Sequence, residues 1–470
     1  MPKTILGTSE KSNFILNMSK NTVRKWVCGL LCVCVAAPLA GGAAALFASG
    51  ASPLTAAFLY AAGFSCLLFY IVLLLRKDIA FGENKGVFFA LGLAVLSLVS
   101  YIGTAVRNSE YPDAVETALF GEAGRHEGLL ALLAYFGIFL LASAAFKRST
   151  VKLVFDMIIG SALIQGVAAV FQHIPCGFPS YFRDLPSLLL LNGVNLSSGF
   201  SESPIFYGSF LTLAMGVGIV GAMYEENILR ARIYGFTAVF CFTTGLFTSS
   251  VVPLIGAGAA AVTAGVCLFT AGKGGTEFKN GVLRSPRKRF AAVLLTMAAV
   301  LGIVALTQGI WLRDKAIAYT DGFNRLFIVT QPSPVHYDSL WKIGAERSFI
   351  MIKDQPLLGI GPDLMAKYQM TDELMVDAVD RSYNEYLYIA ATRGIPALVV
   401  YLGLLAATVR KLVKRMPEFS KNKENWFVPA LLTAAGAYCV QGFFSASAVT
   451  VAPLFWLLLG MAWSDFKQDK

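Results

Sequence analysis

Apolar runs of roughly 17 to 25 residues recur along most of this chain, each long enough to cross a hydrocarbon core about 30 Å thick. In lipid the backbone must satisfy its own hydrogen bonds, which restricts spanning segments to helices and closed barrels. Runs this long and continuous read as helices, because barrel strands alternate apolar and polar residues. Twelve are present, near 26–48, 54–75, 86–106, 128–146, 151–171, 204–223, 232–251, 253–272, 290–312, 396–411, 427–444 and 449–464. Composition agrees: 56% of residues are hydrophobic and only 14% charged, with a mean hydropathy of +0.63. Soluble chains carry about a quarter charged residues. The expected fold is all-α: a polytopic membrane helix bundle of about twelve transmembrane helices with one large extracytoplasmic helical loop.

Lysine and arginine set the expected orientation, since cytoplasmic loops of membrane proteins are enriched in them. With the N-terminus inside, inner segments hold 27 of the 39 Lys and Arg residues, much of the excess in the short stretches 279–289 and 410–423. The chain then divides into a cytoplasmic tail (1–25), nine spans (26–312), an extracytoplasmic loop (313–395), three spans (396–464) and a second cytoplasmic tail (465–470). The first span reads as an uncleaved anchor despite its small residues at Ala43–Ala45, because the spans that follow demand no processing. The net charge of +10 follows from this topology and calls for no nucleic acid.

Seven of the eight cysteines (Cys28, Cys32, Cys34, Cys66, Cys241, Cys267 and Cys439) fall inside expected spans, and Cys176 lies outside, which supplies no disulfide framework. His126, His173 and His336 have no ligand spacing, so neither a metal site nor a cofactor is expected. Gly359-Ile-Gly-Pro362 lacks the Lys-Ser/Thr and the strand–turn–helix setting of a phosphate loop and reads as a turn.

Polar chemistry collects in the stretch 313–393. Residues 338–354 suit a helix with an apolar face of Leu340, Ile343, Ile350 and Met351, lying on the membrane surface or against the bundle. Further on, D-R-S-Y-N-E-Y-L-Y-I-A-A-T-R-G-I-P at 380–396 carries its own punctuation. Ser382 followed by Glu385 reads as a capping box that starts a helix near Tyr383. Gly394 and Pro396 end that helix before the next apolar run. Its first turn presents Tyr383, Asn384 and Glu385, and the unpaired N–H groups there favour an anionic ligand.

The same outer side holds Arg107, Arg125, Arg183, Arg313, Arg325, Arg347, Arg381 and Arg393. A guanidinium suits a diphosphate because its fixed fork binds oxygens two at a time and stays charged. The competing role is snorkelling toward headgroups or pairing with the loop's own acids. Arg125, in G-R-H-E-G-L at 124–129, and Glu202, beside Ser203 and Pro204, stand at the entrances of spans.

These residues resemble a family. Q-P-L-L-G-I-G-P at 355–362, N-E-Y-L at 384–387 and R-G-I-P at 393–396 look like the core of the O-antigen ligase and Wzy-type polymerase superfamily. G-R-H-E-G-L at 124–129, G-F-S-E-S-P-I-F-Y-G-S-F-L at 199–211 and the closing stretch 441–460 also fit it. The resemblance implies a membrane glycosyltransferase fold of the GT-C-like type in a bacterial plasma (inner) membrane. It implies transfer of a glycan from an undecaprenyl-diphosphate carrier to an acceptor hydroxyl on the outer face, without nucleotide or metal, in cell-surface polysaccharide assembly. The acceptor would be a glycan, lipid or protein. The donor bond is already activated, so the protein need only position the acceptor, take its proton and stabilise the departing charge.

In ligases of this family a histidine precedes the asparagine, and here that position is Tyr383. A phenol titrating near 10 is a poor base at neutral pH, which leaves Glu385, Asp380 and His336 as other candidates. The roles implied are Arg325 and Arg347 on the diphosphate, and Tyr383 or Glu385 near the acceptor. Asn384, Arg381, Arg125 and Glu202 would bind substrate. Two other functions compete: a catalytically silent relative that binds lipid-linked glycan, and a twelve-span secondary transporter. Carriers usually bury charges or broken helices near the midplane, whereas these spans are nearly free of charge.

Overall fold

A helix lies over every apolar run identified in the sequence. The computed structural model describes residues 19–45, 51–80, 84–108, 110–122, 125–144, 148–173, 197–201, 203–248, 250–270, 285–307, 337–368 and 381–464. In chain order the α-helices are α1 Lys20–Ala45, α2 Ala51–Leu75, α3 Gly86–Arg107, α4 Pro112–Phe120, α5 Leu129–Ser143, α6 Arg148–His173, α7 Pro204–Tyr224 and α8 Ile228–Leu246. They continue with α9 Val252–Thr270, α10 Pro286–Thr307, α11 Tyr337–Asp354, α12 Glu385–Arg393, α13 Ile395–Lys421, α14 Phe427–Gln441 and α15 Ala452–Trp463. There is no strand among the described residues. The protein is an all-helical, multi-pass membrane bundle.

Nine helices among the described residues are long and apolar enough to cross a membrane. The expected twelve include three that fall short. In α8, Arg230 and Arg232 lower the hydropathy of the first turns. Helices α5 and α15, with 15 and 12 residues, reach only roughly 22 and 18 Å at 1.5 Å per residue.

At the centre stands α7, buried from Phe206 to Tyr224, as expected of a helix that is apolar all round. It fits between α14 and its other neighbours because small residues let backbones approach: a Cβ on Gly216 would lie 2.6 Å from Ala434 Cα. By contrast α10 is largely exposed along its apolar surface, the pattern of a lipid-facing helix.

The described part of the 313–393 stretch folds down onto the bundle. Met351 of α11 is fully buried and Ile343 packs against the same cluster, so the expected apolar face is directed inward. The side chain of Leu340 lies outside the described residues. Glycine at 344 lets α11 meet the backbone of Arg381 and Ser382. The expected turn at 359–362 forms, with Ile360 N donating to Ala391 O and Gly361 N to Thr392 O. Gly394, at φ +87°, closes that contact: a Cβ there would sit 2.1 Å from Leu357 O. From α3, Thr104 donates to Ile360 O, Ser100 to Thr392 O, and Arg107 to Gly359 O and Gln355. These bonds spend Arg107 on holding the turn.

Candidate functional site

Helix α12 starts two residues later than the capping box predicts. Asn384, in extended backbone, is its N-cap, and its Oδ1 accepts from Tyr386 N and Leu387 N, both at 3.1 Å. Tyr383 adopts a left-handed φ of +50°, which turns the chain between Ser382 and the helix and keeps Ser382 out of the cap position. The Ser382 hydroxyl bonds instead to the backbone of Asn384. Two first-turn N–H groups offered to an anionic ligand are therefore occupied, and Asn384 spends its side-chain oxygen on the cap rather than on substrate. Glu385 becomes the first helical residue and points inward.

Among the described residues, Arg125 is the most deeply placed of the expected arginines, only 1% exposed. Its Nη2 pairs with Asp363 Oδ1 and donates to the Tyr388 hydroxyl, with the guanidinium 4.8 Å from the centre of the Tyr388 ring. Tyr388 in turn donates to Asp363 Oδ1 at 2.6 Å. Asp363 Oδ2 accepts from Glu122 N at 2.7 Å and Glu127 N at 3.2 Å. Asp363 is thus held by a guanidinium, a phenol and two backbone amides, and the positive charge of Arg125 is already answered inside the protein.

Beside this group two further carboxyls are buried under tyrosines. Glu127 Oε1 accepts from Tyr135 at 2.9 Å and from Ser447 at 2.7 Å. Ser447 lies in the non-helical stretch 445–451 between α14 and α15, all of it buried. Irregular backbone at such depth is tolerated only where protein or an aqueous cavity surrounds it. Glu385 Oε1 accepts from Tyr401 of α13, while Oε2 is buried without a hydrogen-bond partner. Burial pushes the Glu385 carboxyl up to about 7. The nearby charge of Glu127 adds to this, and the Tyr401 and Tyr438 hydroxyls and Arg393 oppose it. A carboxyl poised near neutrality with one oxygen open is suited to taking a proton from a hydroxyl.

Of the other expected residues, Tyr383 is half-buried against the cluster that holds Met351 and Tyr388. Arg381 places its guanidinium 4.8 Å from the centre of the Phe206 ring at the head of α7 and 5.9 Å from that of Tyr383, joining the loop to the 199–211 motif. Arg347 is half-buried on α11, one turn past Gly344. Arg393 is buried at the end of α12. Arg325 and Glu202 lie outside the described residues, as do Arg183, Arg313, His336 and Asp380.

The structure therefore brings Glu385, Asn384, Tyr383, Arg381 and Arg125 into one region. It adds Glu127, Asp363, Tyr388, Tyr401, Tyr438 and Ser447, which the sequence reading missed. Two signals could have found them: acids flanked by apolar residues at span entrances, and tyrosines within apolar runs, whose hydroxyls need buried partners. Compared with known proteins, the chain matches no protein-family model and no curated protein.

Proposed function

We propose that this protein is a membrane glycan ligase or polymerase that transfers a glycan from an undecaprenyl-diphosphate carrier to an acceptor hydroxyl, with Glu385 as the base. The observation that carries this reading is convergence. Described residues of 125–129, 203–211, 359–363, 381–388 and 445–449, far apart in sequence, meet through Arg125–Asp363, Ser447–Glu127 and the Arg381 guanidinium over the Phe206 ring. They overlap the stretches 124–129, 199–211, 355–362, 384–387 and 441–460, whose pattern resembles the ligase and polymerase superfamily.

In the reaction the bond between the sugar's anomeric carbon and the diphosphate oxygen breaks, and its electron pair leaves with the lipid diphosphate. The acceptor oxygen bonds to that carbon and its proton passes to Glu385 Oε2. Arg347 on α11 and Arg325 from the remainder of the loop are assigned to the diphosphate, with Arg381, beside Phe206, binding substrate. Twelve spans, a GT-C-like arrangement and an outward-facing loop with both termini in the cytoplasm belong to this proposal. The test is Glu385→Gln in cells scored for surface glycan. The expected loss is at least ~100-fold in transfer, the low end for removing a general base. Wild-type glycan from a normally accumulating Glu385→Gln protein would refute it.

A second reading draws on the same depth. Buried carboxyls beside an interrupted helix also suit a proton-coupled carrier, and pH-driven solute uptake in proteoliposomes would favour it.

A further inference from the structure

We infer that the acceptor's hydroxyl reaches Glu385 over Gly442, in the space left by the missing side chain, and that Gly442 is a specificity-determining residue of the acceptor site. This deepens the proposed transfer reaction and rests on it for the hydroxyl being the acceptor's.

Glu385 Oε2 is buried and makes no geometric hydrogen bond. Gly442, buried in the short turn Gly442–Phe444 that follows α14, backs onto it. A Cβ built on Gly442 would lie 3.5 Å from the Tyr386 hydroxyl oxygen, 3.6 Å from Tyr386 Cε2 and 3.7 Å from Glu385 Oε2, its three nearest neighbours beyond the adjoining residues. These are ordinary van der Waals separations, so a methyl-sized space adjoins the bare oxygen. The backbone does not require glycine here, because a φ of −58° is open to any residue. Packing does not require it either, unlike at Gly216 and Gly394, where a Cβ would strike backbone at 2.6 and 2.1 Å.

The space discriminates between the groups it can hold. The Tyr386 hydroxyl donates its hydrogen to Cys439 O at 2.6 Å, and an ionised Oε2 has none to give, so both polar atoms nearest the space accept. A group seated there must bring its own hydrogen, as an alcohol does and an ionised phosphate does not. The alcohol gives that hydrogen to Oε2. Neither polar neighbour donates to its oxygen, whose lone pair stays free to attack the anomeric carbon. Water fits the same seat while the acceptor is absent. The way in follows Tyr386, which is half-buried, to the exposed Phe443, whose ring centre lies 4.5 Å from that of Tyr386.

The test compares Gly442→Ala with wild type and Glu385→Gln in the full-length protein, with thermal melts to check folding. Transfer is scored in cells as surface glycan. Access to Glu385 is scored in lipid nanodiscs with heavy water as the probe: infrared spectra taken below about pH 7, where the carboxyl is protonated, follow exchange of its proton for deuterium. Its carbonyl band is the one that Glu385→Gln removes. In Gly442→Ala transfer is expected to fall ~100-fold, the scale of a displacement of about 1 Å at the reacting atoms. Exchange slows about tenfold or more, because it must then wait for local opening. A merely structural glycine would lower the melting temperature and leave exchange alone. Phe443→Ala, which trims an exposed side chain, widens the way in and speeds exchange, a readout that stands even if Gly442→Ala fails to fold; unchanged exchange in folded Phe443→Ala counts against the route. Where Glu385→Gln is inactive, wild-type transfer or unslowed exchange in folded Gly442→Ala overturns the inference and leaves the transfer reading standing. A fully active Glu385→Gln refutes the transfer reading itself, and slowed exchange in Gly442→Ala then still supports the space as the approach to Glu385.

Discussion

Asp363 and Glu385 are both deeply buried acids of one polar cluster, and their surroundings treat them in opposite ways. Asp363 receives a guanidinium, a phenol and two backbone amides. Glu385 receives the Tyr401 hydroxyl on one oxygen, has the Tyr438 hydroxyl beside it and no guanidinium or backbone amide, and its Oε2 makes no geometric hydrogen bond. The first is a finished electrostatic joint between the 122–127 segment and the turn after α11. The second keeps a group whose charge state is open. Depth alone does not say whether a buried acid holds a fold together or does chemistry; the count and kind of donors does.

The sharpest way to break this comparison is to remove the cation from the finished side. Arg125→Ala leaves Asp363 buried and uncompensated, at a cost of about 3–5 kcal/mol. Thermal melts and expression should show a large loss, most of it restored in the double variant Arg125→Leu with Asp363→Leu. A single variant as stable as wild type would mean that the joint is idle.

The next largest effect belongs to the open side. Glu385 holds its proton up to about pH 7, against 4.5 in an unfolded chain, so between those values the folded state binds more protons. Stability is therefore full below about 4.5 and falls as pH rises through 7, by about 3 kcal/mol for such a difference. Wild-type melting temperature measured against that of Glu385→Gln should drop between pH 5 and 8; a constant difference would contradict it. The smallest effect is local: Asn384→Ala removes the cap of α12 and should cost about 1 kcal/mol, visible as faster hydrogen exchange at Tyr386 and Leu387.

The bundle was largely legible in the sequence because each span is written in one contiguous run, and burial of such a run leaves few alternatives to a helix. Helix α11 and the Gly359 turn were legible for the same local reason. The start of α12 was missed by two residues because Tyr383 takes a left-handed conformation that favours glycine or asparagine, and nothing at Ser382–Glu385 signals it. Arg125 was noticed at its span entrance, but its partner Asp363 was not, since the pairing depends on how the turn docks between α3 and α12. Glu127 sat unremarked inside the same six-residue motif. Its importance comes from Ser447 and Tyr135, and no spacing along the chain announces a contact across 320 positions.

That last separation has a consequence for how the molecule is made. Ribosomes add roughly 5–20 residues per second, so about 15 to 60 s pass between synthesis of Glu127 and synthesis of Ser447. Throughout that interval an acidic segment waits at the edge of a growing bundle for a lining that the last helices deliver. A nascent chain stopped before residue 445 would hold most of its spans, yet Glu127 would lack the Ser447 hydroxyl that it accepts from in the finished fold. Surveillance proteases that sample half-built membrane proteins would meet it in that state.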